Sequence, residues 1–245
     1  MHQQQRVTDN LRGAFDRGAR RYDLLTTLNP GYHRHLRSAA RALRDRAGLP
    51  RRVIDLACGS GSSTRALIDL IPGVEVLGLD ASEGMLEQAR AKNWPAGVGF
   101  EHAVAGELDV DAIGRGGWDA VFTAYLFRNV DATVRDDAVR ETFELLRPGG
   151  RLVVQEYSVD GDRRATFAWD VVSQSVIIPL ATAVDGNRDL YRYLWRSVRD
   201  FDATTVFMDR LAAVGFVDIA TRTVPGWQRG ILHTFVARKP SGASA

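Results

Sequence analysis

The chain has 245 residues, 45% of them hydrophobic, which suits one generous core with additions better than two equal domains. Its 32 Lys and Arg against 30 Asp and Glu leave a net charge of +2, and the only lysines are Lys92 and Lys239, so no basic field calls for nucleic acid or an acidic partner. The single Cys58 cannot close an internal disulfide, which points to a reducing cytoplasm, and no His/Cys cluster has metal-ligand spacing, so no metal is expected.

The start, MHQQQRVTDNLRGAF, lacks the apolar centre of a signal peptide. Residues 7–28 and 33–48 (HRHLRSAARALRDRAG) carry apolar residues at helical spacing. From residue 51 the texture changes. The runs RVIDLA, VEVLGLD, VGFEHAV, WDAVFTAY and GRLVVQEYS are β-rich and bounded by Gly, Pro or Asp, while STRALIDLI, SEGMLEQARA and DDAVRETFELLR read as helices between them. Strands alternating with helices predict an α/β fold with a doubly wound, mostly parallel seven-stranded sheet. After Ser158 the rhythm stops for two helices, RRATFAWDVVSQSVIIPLATAV and NRDLYRYLWRSVRDF, before TTVFMDRLAAVGF and the closing strands VDIATRTV and ILHTFVARK. The expected layout is one domain over residues 1–240: N-terminal helices at 1–50, a cofactor core at 51–158, a helical substrate cover at 159–201, and a closing helix and strands at 202–240, followed by a tail at 241–245. The greasiest stretch, residues 171–184, is shorter than the roughly 20 residues a membrane-spanning helix needs. The chain therefore reads as soluble, with room for peripheral membrane contact and for a homodimer.

The turn VIDLACGSGSS decides the ligand class. No lysine follows the glycines, which excludes a GxxxxGK[ST] phosphate loop. A dinucleotide fingerprint places a small residue where Thr64 stands, and Asp55 just ahead of the turn would repel a pyrophosphate. A carboxylate there suits S-adenosylmethionine, which carries an ammonium and a sulfonium. Asp80 closes the second strand, where a carboxylate can accept both ribose hydroxyls; the competing role is a turn acid beside a Ser82 helix cap. Together these features are the signature of class I SAM-dependent methyltransferases, and the cofactor-binding set is expected to be Asp55, Ala57, Gly59, Gly61, Asp80, Ala81, Met85, Glu107 and Tyr125.

Over nearly its full length the chain resembles the ubiquinone/menaquinone biosynthesis C-methyltransferase family. The resemblance rests on FDRGARRYDLLTTLNPGYHRHLR, on YLFRNV, on LLRPGGRLVVQEYS and on YRYLWRSVRDF. It departs after the third strand, where AVAGELDV offers only Glu107 or Asp109 to the adenine, and in the closing region. The resemblance implies methyl transfer to a ring carbon ortho to a hydroxyl on a hydrophobic quinol or phenol. Arg128 is expected to stabilise the oxyanion and Asn129 to orient it, with Tyr22 closing over the methionine end of the cofactor. His33, ahead of His35 and His233, and Glu156 are the candidate bases; a buried Glu156–Arg pair is the alternative. Phe167, Trp169, Tyr191, Tyr193 and Trp195 are expected to line an apolar cavity for a small hydrophobic aromatic substrate. A natural-product methyltransferase and a SAM-binding protein that transfers no methyl stay open beside this reading.

Overall fold

A computed structural model describes residues 31–186 and 188–242. In chain order the elements are α1 (Tyr32–Ala47), β1 (Arg52–Leu56), α2 (Ser62–Leu70), β2 (Glu75–Asp80), α3 (Glu83–Arg90), β3 (Val98–His102), α4 (Val110–Ile113) and β4 (Trp118–Ala124). After a 3-10 turn (Phe127–Asn129) come α5 (Arg135–Leu145), β5 (Leu146–Tyr157) and α6 (Arg163–Val172). A π turn (Ser173–Ile177) joins α6 to α7 (Ile178–Asp185), and α8 (Arg188–Arg199), α9 (Thr204–Val214), β6 (Val217–Thr223) and β7 (Leu232–Arg238) complete the described chain.

Among the described residues the strands form one seven-stranded sheet in the order β3-β2-β1-β4-β5-β7-β6. β1 to β5 run parallel, and β7 pairs antiparallel with both β5 and β6. The chain reverses its direction of winding between β1 and β4, and a crevice opens beyond the carboxyl ends of the strands at such a switch point. Register fixes what meets there: Leu56 lies opposite Leu79 on one side and Thr123 on the other. The residues that follow β1, β2 and β4 therefore leave the sheet side by side.

Alternation along the strands loads both faces. Val53, Ala120, Phe122 and Val153 pack with Leu36, Leu43 and Leu67 under α1 and α2. Ile54, Leu79, Val121 and Val154 pack on the other face with Val139, Phe207 and Leu211 from α5 and α9. Burying each such side chain contributes about 1.5–3 kcal/mol. The second core has an aromatic centre, with Phe207 at 5.1 Å from Phe127, 5.4 Å from Phe201 and 5.0 Å from Phe235. Phe127 matters most to the site, because it seats the 3-10 turn that carries Arg128.

The continuous α6–α7 helix and α8 lie between β5 and β6 in the chain and pack on each other through Ile178, Ala181, Tyr191, Leu194 and Trp195. Trp169 Nε1 donates to the Trp195 carbonyl at 3.2 Å, and Trp195 Nε1 donates to Asp170 at 2.9 Å. The sequence reads the first of these helices as unbroken, whereas the structure inserts a π turn at its middle.

Candidate active site

Two halves of the strand edge come together, one around β1 and β2 and one around β4 and β5. In the first half, Asp55 is fully buried at the end of β1. Its Oδ2 accepts from Ser63 Oγ at 2.8 Å and Thr64 Oγ1 at 2.5 Å, so Thr64 occupies the third fingerprint position because its hydroxyl ties α2 to the strand. Asp55 Oδ1 is buried with no hydrogen-bond partner. Burial pushes this carboxyl up to about 6, against the two hydroxyl donors, with the Asp80 charge adding to the rise.

The backbone between β1 and α2 turns sharply. Ala57 has φ 61°, a value few residues other than glycine adopt, followed by Gly59 at 54° and Gly61 at 89°. A Cβ on Gly61 would sit 2.7 Å from Trp94, so this glycine is required by contact as well as by φ. Gly59 donates its N–H to Asp80 Oδ2 at 2.8 Å, and Ser82 donates its N–H to Asp80 Oδ1 at 2.9 Å. Asp80 thus fastens the glycine turn to the end of β2. Ser82 is the N-cap of α3, accepting from Met85 N at 3.2 Å. Met85 is buried against Gly59, and the Ala81 carbonyl accepts or faces His102 Nε2 at 3.1 Å. Lys92 Nζ holds the Ser60 carbonyl at 2.7 Å.

Beyond β3 the two acids separate. Asp109 is spent as the N-cap of α4, accepting from Ala112 N at 3.0 Å, and the Glu107 side chain is exposed. Glu141 of α5 instead holds this loop, accepting from Gly106 N at 2.7 Å and Leu108 N at 2.9 Å. Sequence reasoning misses Glu141 because it sits among the ordinary acids of an amphipathic helix.

In the second half, Tyr125 follows β4 with φ 63°, a second strained residue at a strand end. Its ring stacks between Tyr32 at 5.7 Å and Tyr157 at 5.2 Å, and Tyr157 in turn meets Trp169 at 5.3 Å. Gln155 Nε2 donates to Tyr125 Oη at 2.6 Å, and Gln228 Nε2 donates to Tyr157 Oη at 3.1 Å. Burial pushes the Tyr157 phenol up, opposed chiefly by the nearby Arg128 charge.

Arg128 does not pair with the acids of α5. Its Nη1 meets Glu156 Oε1 at 2.8 Å, with the arginine side chain 9% and the glutamate side chain 0% exposed. The Arg128 and Tyr157 backbone N–H groups also donate to Glu156, at 3.3 and 3.0 Å. The guanidinium carbon lies 5.5 Å from the Tyr125 ring centre and 5.6 Å from that of Tyr157, within cation–π reach. Asn129 Nδ2 donates to the Tyr125 carbonyl at 2.9 Å and so holds the strained residue. Arg135 braces the turn from below: Nε donates to the Phe127 carbonyl at 3.1 Å, Nη2 to that of Val130 at 3.0 Å, and Nη1 to Asp202 at 2.6 Å.

Of the aromatics expected in the cavity wall, Tyr193 has its phenol near enough to feel the Arg128 charge, which opposes the rise that burial causes. Tyr191 and Trp195 pack among the inserted helices, while Trp169 also reaches the Tyr157 ring. Phe167 is 70% exposed, which corrects its expected place in a cavity wall: the helix is apolar on two faces, and Phe167 lies on the outer one. Exposed His33 meets Tyr32 edge-on at 5.3 Å, one ring beyond the Tyr125 stack. Buried His35 has its pKa lowered by burial, and buried His233 stacks on Phe235 at 5.8 Å. Tyr22 lies outside the described residues.

The sequence matches the ubiE/COQ5 methyltransferase family over residues 2–238. A demethylmenaquinone methyltransferase of Beutenbergia cavernae is 35% identical over 229 residues, 93% of this chain and 90% of that protein. A ubiquinone/menaquinone biosynthesis C-methyltransferase UbiE of Methylobacterium nodulans is 33% identical over 211 residues, 85% of this chain and 83% of its own. Among solved structures, the 1,6-didemethyltoxoflavin-N1-methyltransferase of Burkholderia thailandensis superposes with a TM-score of 0.65 at 18% identity, covering 96% of this chain and 90% of that one, a likeness of fold.

Proposed function

We propose a reaction on the premise that this chain belongs to the ubiE/COQ5 methyltransferase family, as its match over residues 2–238 shows. It is an S-adenosylmethionine-dependent methyltransferase. Its acceptor, in our reading, is a hydrophobic hydroquinone of the demethylmenaquinone type, methylated at a ring carbon ortho to a hydroxyl. The relatives are named as a demethylmenaquinone methyltransferase and a ubiquinone/menaquinone biosynthesis C-methyltransferase. The observation in this chain that supports it is the buried Arg128–Glu156 pair set against the Tyr125 and Tyr157 rings.

The residues around β1 and β2 fit the cofactor. The partnerless, buried Asp55 Oδ1 offers an acceptor to its ammonium, and the Asp80 carboxylate, oriented by the N–H groups of Gly59 and Ser82, is assigned to the ribose hydroxyls. Gly59, Gly61 and Ala57 keep side chains clear of the turn, with Ala81, Met85, Glu107 and Tyr125 as the further contacts. When bound, S-adenosylmethionine supplies an electrophilic methyl group on a sulfonium.

The chain's own work lies on the acceptor. A phenol titrates near 10, so the ring carbon becomes nucleophilic only when the hydroxyl proton is removed and the oxyanion stabilised. We assign the stabilisation to Arg128. Glu156 holds that guanidinium in place and, spent on three donors, is a positioning residue in preference to the base. Asn129 fixes the backbone of Tyr125, and the tyrosine faces orient the acceptor ring. His33 is the exposed base candidate beside the stack. We place the enzyme in the cytoplasm on the strength of its single, free, buried Cys58.

Incubation with methyl-labelled S-adenosylmethionine and a reduced demethylmenaquinone tests this reading. The expected product is a lipid quinone carrying the label on a ring carbon. Label on oxygen, or no transfer from a protein that binds the cofactor tightly, would reject the acceptor assignment.

A further inference from the structure

The α6–α7 helix has a second apolar face that nothing among the described residues covers. Its inner face, with Ala165, Trp169, Ser173, Ile178 and Ala181, is buried. On the outer face Phe167, Val171, Val176 and Leu180 are 70, 45, 53 and 61% exposed. They are spaced by four, five and four residues, and the interval of five runs into the π turn (Ser173–Ile177). A π turn takes up one more residue than an α turn, so all four side chains stay on one line. At about 1.5 Å per residue that line runs roughly 20 Å.

Charge is distributed with the same polarity. Arg163 and Arg164, both exposed, stand four and three residues before Phe167 and share its face. The only acid between residues 163 and 183 is Asp170, which is turned toward Trp195 and Arg199. On the neighbouring α8, exposed Arg188, Arg192 and Arg196 form a row at four-residue spacing. Between residues 163 and 183 the outer surface of the helix is therefore apolar side chains, neutral polar ones and cations, with exposed Asp160 ahead of it and exposed Asp189 on α8.

We propose that this face docks the enzyme onto an anionic lipid bilayer, with the α6–α7 helix lying in the headgroup plane and its outer side chains dipping into the acyl boundary. An apolar stripe with cations and no carboxylate is what such an interfacial helix requires. A spanning role is not open to it, since no helix among the described residues is long and apolar enough to cross a membrane. A second copy is a poorer fit, because a two-fold contact would set this face against itself and the stripe between residues 163 and 183 has no acid but Asp170, which Trp195 and Arg199 hold. The inference stands on this surface alone and holds whatever the acceptor proves to be.

The test is flotation of the full-length protein with phosphatidylcholine vesicles, with and without phosphatidylglycerol, alongside calorimetry with S-adenosylmethionine and light scattering. Binding is expected to the anionic vesicles and to weaken with salt. The Phe167→Ser/Leu180→Ser variant should lose at least about tenfold in partitioning while keeping its cofactor affinity. Arg163→Ala/Arg164→Ala should remove part of the salt-sensitive component. Wild-type protein that ignores anionic vesicles, or a double serine variant that binds them equally well, overturns the proposal. So does a wild-type dimer that the serine variant splits, which would give the face to a second copy, or hydrogen exchange showing residues 163–183 already shielded by residues 1–30 without vesicles.

Discussion

The two halves of the strand edge are held together over different distances along the chain. Around β1 and β2 the contacts are short-range: Asp55 meets Ser63 eight residues on, and Asp80 meets Gly59 across twenty-one. Around β4 and β5 the reach is longer. Arg128 meets Glu156 across 28 residues, Tyr125 meets Gln155 across 30, and Tyr157 meets Gln228 across 71. The first half is two carboxylates, Asp55 gripped by side-chain hydroxyls and Asp80 by backbone N–H groups, already shaped by one strand–turn–helix and the strand beside it. The second is assembled by ring stacking and by a buried ion pair, which depend on the 3-10 turn, the cover and the β6–β7 connection all being in place. The cofactor half should therefore respond to substitution in binding, and the acceptor half in turnover.

The largest break in that division is expected from Asp80→Ala. It removes the proposed ribose acceptor and also frees the N–H groups of Gly59 and Ser82, so the turn loses its fastening together with the assigned ligand contact. Hydrogen bonds to a charged group contribute about 1.5–3 kcal/mol each, so cofactor affinity should fall by at least about a hundredfold in titration calorimetry. Affinity within a few-fold of wild type would mean that Asp80 is only a turn acid.

The next effect falls on the other side. Removing Arg128 outright would leave Glu156 buried and unpaired, a cost of about 3–5 kcal/mol that confuses catalysis with folding. Arg128→Lys keeps the charge and loses the planar fork. Turnover should drop between about tenfold and a hundredfold, with cofactor affinity unchanged and melting temperature close to wild type. An Arg128→Lys enzyme with full turnover would assign the Arg128–Glu156 pair to packing alone.

How much of this the sequence discloses follows the same contrast. Sheet and strand edge are legible because buried parallel strands read as short apolar runs and the acids fall at their ends. Ser63 and Thr64 are not read as donors, since Thr64 enters only as a misfit to the dinucleotide fingerprint; their bonds to Asp55 emerge from the structure. Arg128 and Glu156 each stand out from their motifs, and a buried Glu156–Arg pair is among the expectations, but which arginine Glu156 meets is hidden by the twenty-eight residues between them. Arg135 looks like one more charge on an exposed helix until its three bonds beneath the 3-10 turn are seen. Gln228 carries no signal at all, being an ordinary polar residue in a connection. The direction of Phe167 was equally hidden, because a helix apolar on both sides gives hydropathy no preferred face.

The smallest of the three effects sharpens the comparison by using pH, because the cofactor half contains a buried carboxyl and the acceptor half a compensated ion pair. Burial raises Asp55 from the ordinary value near 3.8 to about 6. The folded protein thus keeps this proton to a higher pH than the unfolded chain does. Its contribution to stability is complete below about 3.8 and is lost as pH rises through about 6, a change of about 3 kcal/mol at most. A cationic ligand reverses the preference by favouring the carboxylate, so cofactor binding must expel the proton whenever the pH lies below about 6. Affinity for S-adenosylmethionine should then rise by up to about tenfold per pH unit between pH 5 and 6 and level off above that. Asp55→Asn keeps an oxygen for Ser63 and Thr64 but cannot titrate, so its affinity should be weaker at pH 7 and flat across the same range. A wild-type profile as flat as that of the variant would mean that the Asp55 carboxylate braces α2 without meeting the ammonium, and the cationic end of the cofactor would have to be sought elsewhere along the turn.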